Sequence, residues 1–285
     1  MKKIAFYKMQ ASGNDFVLIE AIAKLKGRFY SKLAKVICQR KLSLGADGLL
    51  VIESSKQADF KMRIFNSDGS EAEMCGNGAR CAAFWAKTRL GRKKTDIVLE
   101  TKAGIVESEA KDFKQEGPLG DSAEVGIKVM NPYGFKQNLT LKVFGRQLKV
   151  NFINTGVPHT VVFVSDLDNI DIEDIGREIR FHRQFAPAGT NVDFVEILDK
   201  NFIKVRTYER GVEAETLACG TGSIASAIVS DFKLEPANIK KTSSVKVQVK
   251  SKEILRVYFN RHNKNIDDVW LEGRANLVYR GEISI

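Results

Sequence analysis

The chain is written twice, and that duplication narrows the folds open to it more than any single motif does. Gly13, in ASGNDFVLIE, faces Gly156, in NTGVPHTVVFV, 143 positions later. Gly45 in GADGLLVI faces Gly189 in GTNVDFVEI at a spacing of 144, and Gly69 in MRIFNSDGSEAE faces Gly211 in VRTYERGVEAE at 142. Cys75 in MCGNGARCAA then faces Cys219 in ACGTGSIASA, again at 144. Four matches in one order at nearly constant spacing predict two related lobes with a pseudo-twofold relation, each presenting its cysteine in the same way. A linker near residues 131–138 divides them into an N-terminal lobe over 1–130 and a C-terminal lobe over 131–275.

Local patterning agrees with a duplicated α and β chain. Residues 16–20, 49–52, 61–65, 161–164, 194–197 and 204–208 are rich in Val, Ile and Phe and are expected as strands. Helical spacing is found over 31–40, where Leu33, Val36 and Ile37 share a side. Two more helices, over 78–90 and 222–232, start behind the cysteine-glycine turns. Their runs CAAFWA and SIASAIV are apolar all round, so each is expected to be a mostly buried helix wrapped by its own lobe's sheet. A hairpin over 97–109 turning at Ala103 and Gly104, the polar stretch KDFKQEGPLGD and a strand over 126–130 complete the N-terminal lobe.

Composition excludes several classes. The 285 residues are 44% hydrophobic and 28% charged, which fits one large domain or two smaller ones and not a disordered chain. No apolar run approaches the roughly 18 residues of a membrane span, and the start MKKIAFYKMQ returns to Lys8 before a signal-type apolar core builds. A cytoplasmic protein with no membrane partner is the expectation. The net charge of +10 permits a nucleic-acid partner. The basic residues are scattered, however, in doublets such as Lys93 and Lys94 or Lys240 and Lys241, without an aromatic-basic RNA signature, so no nucleic-acid partner is expected. Cys38, Cys75, Cys81 and Cys219 form no paired CxxC motif and His159, His182 and His262 no HExxH, so no metal site is expected. GTGSIA from Gly220 formally fits GxGxxA, but no strand runs into it, and no phosphate-loop motif is present.

The duplicated cysteine turns carry the chemistry. Gly76, Asn77 and Gly78, and separately Gly220, Thr221 and Gly222, put flexible backbone at a helix start, where N–H groups lack intrahelical acceptors. Two such starts converging on one point would hold a carboxylate, and their dipoles would lower a neighbouring thiol's pKa. With an amino-acid Cα between Cys75 and Cys219, one thiolate removes the α-proton while the opposite thiol returns one, inverting the centre. The N–H groups face the charge that develops on the carboxylate. Cys38 and Cys81, among apolar helix residues, are expected to be structural. A non-enzymatic alternative is a thiol redox sensor in which Cys75 and Cys219 form a reversible disulfide.

The segments GNDF from Gly13, GADGLL from Gly45, NSDGSEAEMCGNGARC from Asn66 and ERGVEAETLACGTG from Glu209 resemble diaminopimelate epimerase over nearly the whole chain. The resemblance implies an α+β fold of two similar lobes, each a mixed curled sheet around a central helix, with the strand at 276–285 returning to the first lobe. It implies a cofactor-independent isomerase that converts LL- to meso-diaminopimelate in lysine biosynthesis, acting on a small-molecule amino acid, with a homodimer as the family-level expectation. By the same resemblance Cys75 and Cys219 are acid and base, and the backbone of Gly76, Asn77, Gly220 and Thr221 holds the reacting carboxylate. Asn14, Asn66, Asn191 and Arg210, with Glu209 nearby, read the distal amino-acid end, and His159 with Glu209 sets the protonation of a catalytic thiol. Val157, where many members carry Asn, and Gly48, where some carry Gln, depart from the pattern. They leave a two-thiol racemase or epimerase of another amino acid as the alternative; the related proline enzymes carry His where this chain has Asn77.

Overall fold

A computed structural model describes residues 3–22, 25, 27–91, 95–116, 120–235 and 239–284. Lys93 and Lys94, residues 117–119 of the polar stretch, and Ile285 lie outside the described residues. The chain divides into two compact units, one comprising 1–128 and 273–285, the other 129–272.

The first unit runs β1 (Lys3–Ala11), β2 (Asn14–Glu20), α1 (Gly27–Ile37), β3 (Gly48–Glu53), β4 (Phe60–Asn66), β5 (Glu71–Ala72), α2 (Gly76–Leu90), β6 (Asp96–Thr101), β7 (Gly104–Glu116) and β8 (Gly120–Lys128). Strand β2 turns back antiparallel on β1, and the chain then crosses through α1 to pair β3 parallel with β2. β4 runs antiparallel to β3, and a second crossing through α2 sets β6 parallel to β4. Antiparallel pairing of β6, β7 and β8 completes the order.

The second unit repeats this wiring. It consists of β9 (Tyr133–Val143), β10 (Arg146–Asn154), β11 (Pro158–Phe163), α3 (Ile172–Arg180), β12 (Asn191–Asp199), β13 (Phe202–Glu209), β14 (Ala214–Thr216), α4 (Gly220–Leu234), β15 (Lys240–Gln248), β16 (Ile254–His262) and β17 (Asn265–Ser284). β10 and β11 are antiparallel, β11 and β12 parallel, β12 and β13 antiparallel, and β13 and β15 parallel. α3 and α4 occupy the crossings that α1 and α2 occupy in the first unit. β17 serves both units: residues 265–272 pair with β16, and residues 276–284 pair with β1. The fold is α+β, a mixed sheet with one buried helix in each unit.

The buried helices owe their composition to their surroundings. Residues 78–87 of α2 and 222–232 of α4 are buried on every side, so small and apolar residues are needed all round rather than along one stripe. Lys87 sits inside this wall and donates from Nζ to the Ala110 carbonyl at 2.7 Å, so the buried ammonium finds a backbone acceptor there. α1 is amphipathic instead, burying Tyr30, Leu33, Ala34 and Ile37 against β3 and β4.

Three expectations need revision. Both central helices begin two residues earlier than the glycine-rich pattern suggested, at Gly76 and Gly220, because the cysteine itself is the N-cap. Helix α3 was not anticipated, although Asp171 caps it by accepting from the Asp174 N–H at 3.1 Å and Ile172 and Ile179 share its buried face. Residues 133–138, expected in a linker, belong to β9, whose first eight residues are mostly exposed and so carry little apolar signal. No helix among the described residues is long and apolar enough to cross a membrane.

Candidate active site

In the first unit the short β5 leads into Cys75, whose extended backbone (φ −144°, ψ 121°) ends the strand and caps α2. The Cys75 carbonyl accepts from the Ala79 N–H at 2.8 Å, and its Sγ accepts from the Gly78 N–H at 3.5 Å. The N–H groups of Gly76 and Asn77 have no acceptor within the helix at such a start. Gly78 is glycine because the sheet comes close: a Cβ there would lie 3.1 Å from Leu50 Cδ2 and 3.6 Å from Ile64 Cδ1. Gly76 likewise faces Ile127, at 3.2 Å.

A chain of amides surrounds Cys75. Buried Arg80 donates from Nη2 to Asn77 Oδ1 at 2.6 Å and to Ser12 Oγ at 2.7 Å, so Asn77 turns its Nδ2 toward Asn14 Oδ1, 3.4 Å away. Asn14 in turn donates from Nδ2 to Asp47 Oδ2 at 2.7 Å, leaving Oδ1 to accept from the Cys75 thiol at 3.8 Å. A cation at one end and a carboxylate at the other thus fix which way both amides point. Asp47 is itself held by Arg40 at 2.9 Å. Asn66 is exposed at the end of β4 and donates to Ser70 Oγ at 3.0 Å.

The second unit presents Cys219 in the same backbone pose (φ −119°, ψ 113°), with its carbonyl accepting from the Ser223 N–H at 2.9 Å. Its Sγ lies 3.4 Å from the Thr221 hydroxyl, and the Thr221 carbonyl accepts from Thr155 Oγ1 at 3.0 Å. Gly220 faces Leu271 as Gly76 faces Ile127. Beneath this helix start the sheet is polar. His159, on β11, lies with Nδ1 2.7 Å from Asp193 Oδ2, on β12, and Asp193 Oδ1 accepts from Thr207 Oγ1 at 2.8 Å. His159 and Asp193 are both 0% exposed. Asn191 donates from Nδ2 to the Pro158 carbonyl at 3.1 Å, lies 3.5 Å from His159 Nε2, and accepts the Arg210 N–H at 2.8 Å. Arg210 donates through Nη1 to the Ala188 carbonyl at 3.2 Å.

Electrostatics at Cys219 run against the sequence expectation. Burial pushes its thiol pKa well above the ordinary value, and the negative charges of Glu209 and Asp193 push the same way. The Thr221 hydroxyl and the Gly222 N–H oppose this without reversing it, so desolvation outweighs the helix start and the resting group is the thiol. Burial also raises Glu209 above the usual carboxylate range. Cys38 is buried and pushed up to about 11 for the same reason, and Cys81 is fully buried, as structural thiols are.

The strand register defines the equivalences more sharply than the glycine anchors do. Phe16 pairs with Gly48 as His159 pairs with Asn191; Leu50 pairs with Ile64 as Asp193 pairs with Thr207. His159, Asp193 and Thr207 therefore stand where the first unit has Phe16, Leu50 and Ile64. The anchors Gly45 and Gly189 instead set Asp193 against Leu49, because the chain into β12 is one residue shorter. Asp193, the functional candidate that the sequence reading missed, had a signal in the register. Gly48 has a structural reason: a Cβ there would lie 2.9 Å from the Phe65 carbonyl oxygen. No group of three or more His, Cys, Asp or Glu side chains that could hold a metal occurs among the described residues.

Comparison with known proteins agrees in both sequence and structure. A diaminopimelate epimerase from Aquifex aeolicus is 41% identical, the match covering 98% of this chain and 97% of that protein. One from Hydrogenobaculum is 39% identical, with 97% of each covered. Among solved structures, a phenazine biosynthesis protein of the PhzF family from Bacillus anthracis superposes with a TM-score of 0.76 at 19% identity, covering 100% of both chains. A hydroxyproline epimerase from Agrobacterium vitis gives 0.66 at 12%, covering 99% of this chain and 93% of that one. These two show the shared fold. The family model described as diaminopimelate epimerase matches residues 6–124 and 151–278, and the chain belongs to that family of isomerases.

Proposed function

We propose that this chain interconverts LL- and meso-diaminopimelate without a cofactor, on the route to lysine, with Cys75 and Cys219 working on opposite faces of one α-carbon. The observation that carries the reading is the repeated helix start: in each unit a cysteine with extended backbone caps a buried helix whose first N–H groups are unspent. In one direction a thiolate takes the α-proton, the C–H electron pair moves into the carboxylate as an enediolate, and the opposite thiol gives its proton to the other face. Thiolate and thiol have then exchanged places, and the reverse reaction resets them. The N–H groups of Gly76, Asn77, Gly220 and Thr221 stabilise the carboxylate charge as it grows.

A thiol held protonated at rest suits Cys219 to the acid role in the first half-reaction, with Cys75 as its base. Asn14, Asn66, Asn191 and Arg210 would serve the distal amino-acid end, directly or by fixing the backbone that does, and Glu209 and His159 would set thiol protonation. A cytoplasmic homodimer belongs to the same proposal; it rests on the family resemblance and is checked by light scattering.

The test is incubation of the enzyme with LL-diaminopimelate in deuterated water. Solvent deuterium should enter the α-position and meso product accumulate; absence of both would remove the substrate assignment. Val157 is half-buried where many family members place an amide, which favours one second reading, a different amino acid at the same two thiols. Exchange assays on a panel of L-amino acids run in parallel separate the two.

A further inference from the structure

The pair His159 and Asp193 is the least expected feature of the second unit. A carboxylate and an imidazole are both fully buried at positions where the first unit has a leucine and a phenylalanine. Buried charge survives only where its hydrogen-bonding capacity is met, and here it is met from several sides. Oδ2 faces His159 Nδ1 at 2.7 Å and Oδ1 accepts from Thr207 at 2.8 Å. Glycine at 222 leaves room above, since a Cβ there would overlap Oδ1. The start of α4, with its partial positive charge, thus lies directly over the carboxylate.

The network allows one assignment of the imidazole protons. Asp193 Oδ2 is an acceptor, so Nδ1 carries hydrogen, and Asn191 Nδ2, a donor 3.5 Å from Nε2, requires a lone pair there. We propose that Asp193 is a positioning residue for the epimerisation: it locks His159 as the Nδ1–H tautomer and so keeps the ring's basic lone pair on Nε2, the side that faces Asn191. The other titratable groups around the pair are Glu209, at the end of β13, and Cys219, at the cap of α4; neither supplies the Nδ1 partner. This role rests on the functional reading above only for its effect on turnover; the tautomer is independent of it.

The test is two-bond ¹H–¹⁵N correlation spectroscopy on protein labelled at its histidines, with His159 assigned by removing the other two signals through His182→Gln and His262→Gln. Wild-type protein between pH 7 and 8 should show His159 as the neutral Nδ1–H tautomer. Asp193→Asn should shift His159 toward the Nε2–H form and lower kcat on the order of 10²-fold with KM changed less than about threefold. An Nε2–H tautomer in the wild type would overturn the proposal, as would an Asp193→Asn enzyme that loses turnover with the tautomer unchanged or keeps both. Should Asp193→Asn fail to fold, the wild-type spectrum still decides, and Thr207→Val should give a smaller kcat loss in the same direction. If wild-type enzyme exchanges no α-hydrogen on diaminopimelate, the substrate reading falls while the spectra decide the role of Asp193 by themselves.

Discussion

Two helix starts built on one backbone plan hold their cysteines beside different side chains. Beside Cys75 stand the amides of Asn14 and Asn77, the latter steered by the buried Arg80 guanidinium, and the residue is half-buried. Around Cys219 the neighbours are Asp193 and Glu209, both negative, and the residue is 8% exposed. The backbone repeats while the side chains beneath it do not. Duplication therefore repeats the cysteine-capped helix start, while the side chains beneath it differ between the two units.

That comparison can be broken at several points. The severest cut is Cys75→Ala or Cys219→Ala: each should lower LL-to-meso turnover by at least about 10³-fold with circular dichroism unchanged. If either variant kept a tenth of the wild-type rate, the two cysteines would not be paired partners. Next, Gly222→Ala drives a methyl into a buried carboxylate anchored on both oxygens, whereas the nearest atom that Gly78→Ala meets is the flexible end of Leu50 at 3.1 Å. Denaturant unfolding should show the first costing about 3 kcal/mol and the second about 1 kcal/mol or less. Equal costs would mean that the polar floor under α4 yields as readily as the apolar one under α2.

Thiol reactivity sharpens the contrast further. With ligand absent at pH 8, iodoacetamide should label Cys75 on the order of tenfold faster than Cys219, because thiolate is the nucleophile and Cys219 is both buried and held protonated. Peptide mass spectrometry over a time course reads the ratio, and faster labelling at Cys219 would invert the proposed asymmetry.

Glu209 gives a smaller, pH-dependent effect. Its folded pKa is raised by burial above the ordinary 4.5, so the folded state holds that proton more tightly than the unfolded state does. The contribution of Glu209 to stability is fully present below 4.5 and is lost as pH rises through the raised value. Glu209→Gln should consequently raise Tm at pH 8, with the gain vanishing near pH 4, whatever it does to activity. The mildest expectation is Arg40→Ala, which removes an exposed ion-pair partner of Asp47 and should cost under about 1 kcal/mol.

Much of this was legible before any coordinates, for identifiable reasons. Repeated Gly and Cys residues mark backbone that must turn or cap, so the anchors at Gly13, Gly156, Cys75 and Cys219 were visible as pattern. The all-round apolar runs of α2 and α4 betrayed complete burial. Helix α3 was passed over despite its capping Asp171 and its spaced isoleucines, which lie among many charges. Strand β9 reads as a linker in the sequence because an exposed strand buries too little to show alternation. The Asp193 and His159 pair was hidden by a single-residue difference in a loop: aligning glycines shifts the strands by one, and a lone aspartate in NVDFVEI looks like solvent-facing polarity rather than a buried partner.

The last strand has a consequence for how the chain reaches this state. Because β1 pairs with residues 276–284, its outer backbone groups are matched only by a strand far along the chain. Closing so long a loop is slow relative to local pairing. The second unit draws only on residues 129–272 and can mature within a shorter stretch of chain, so it is expected to form before the long-range pairing that closes the first unit.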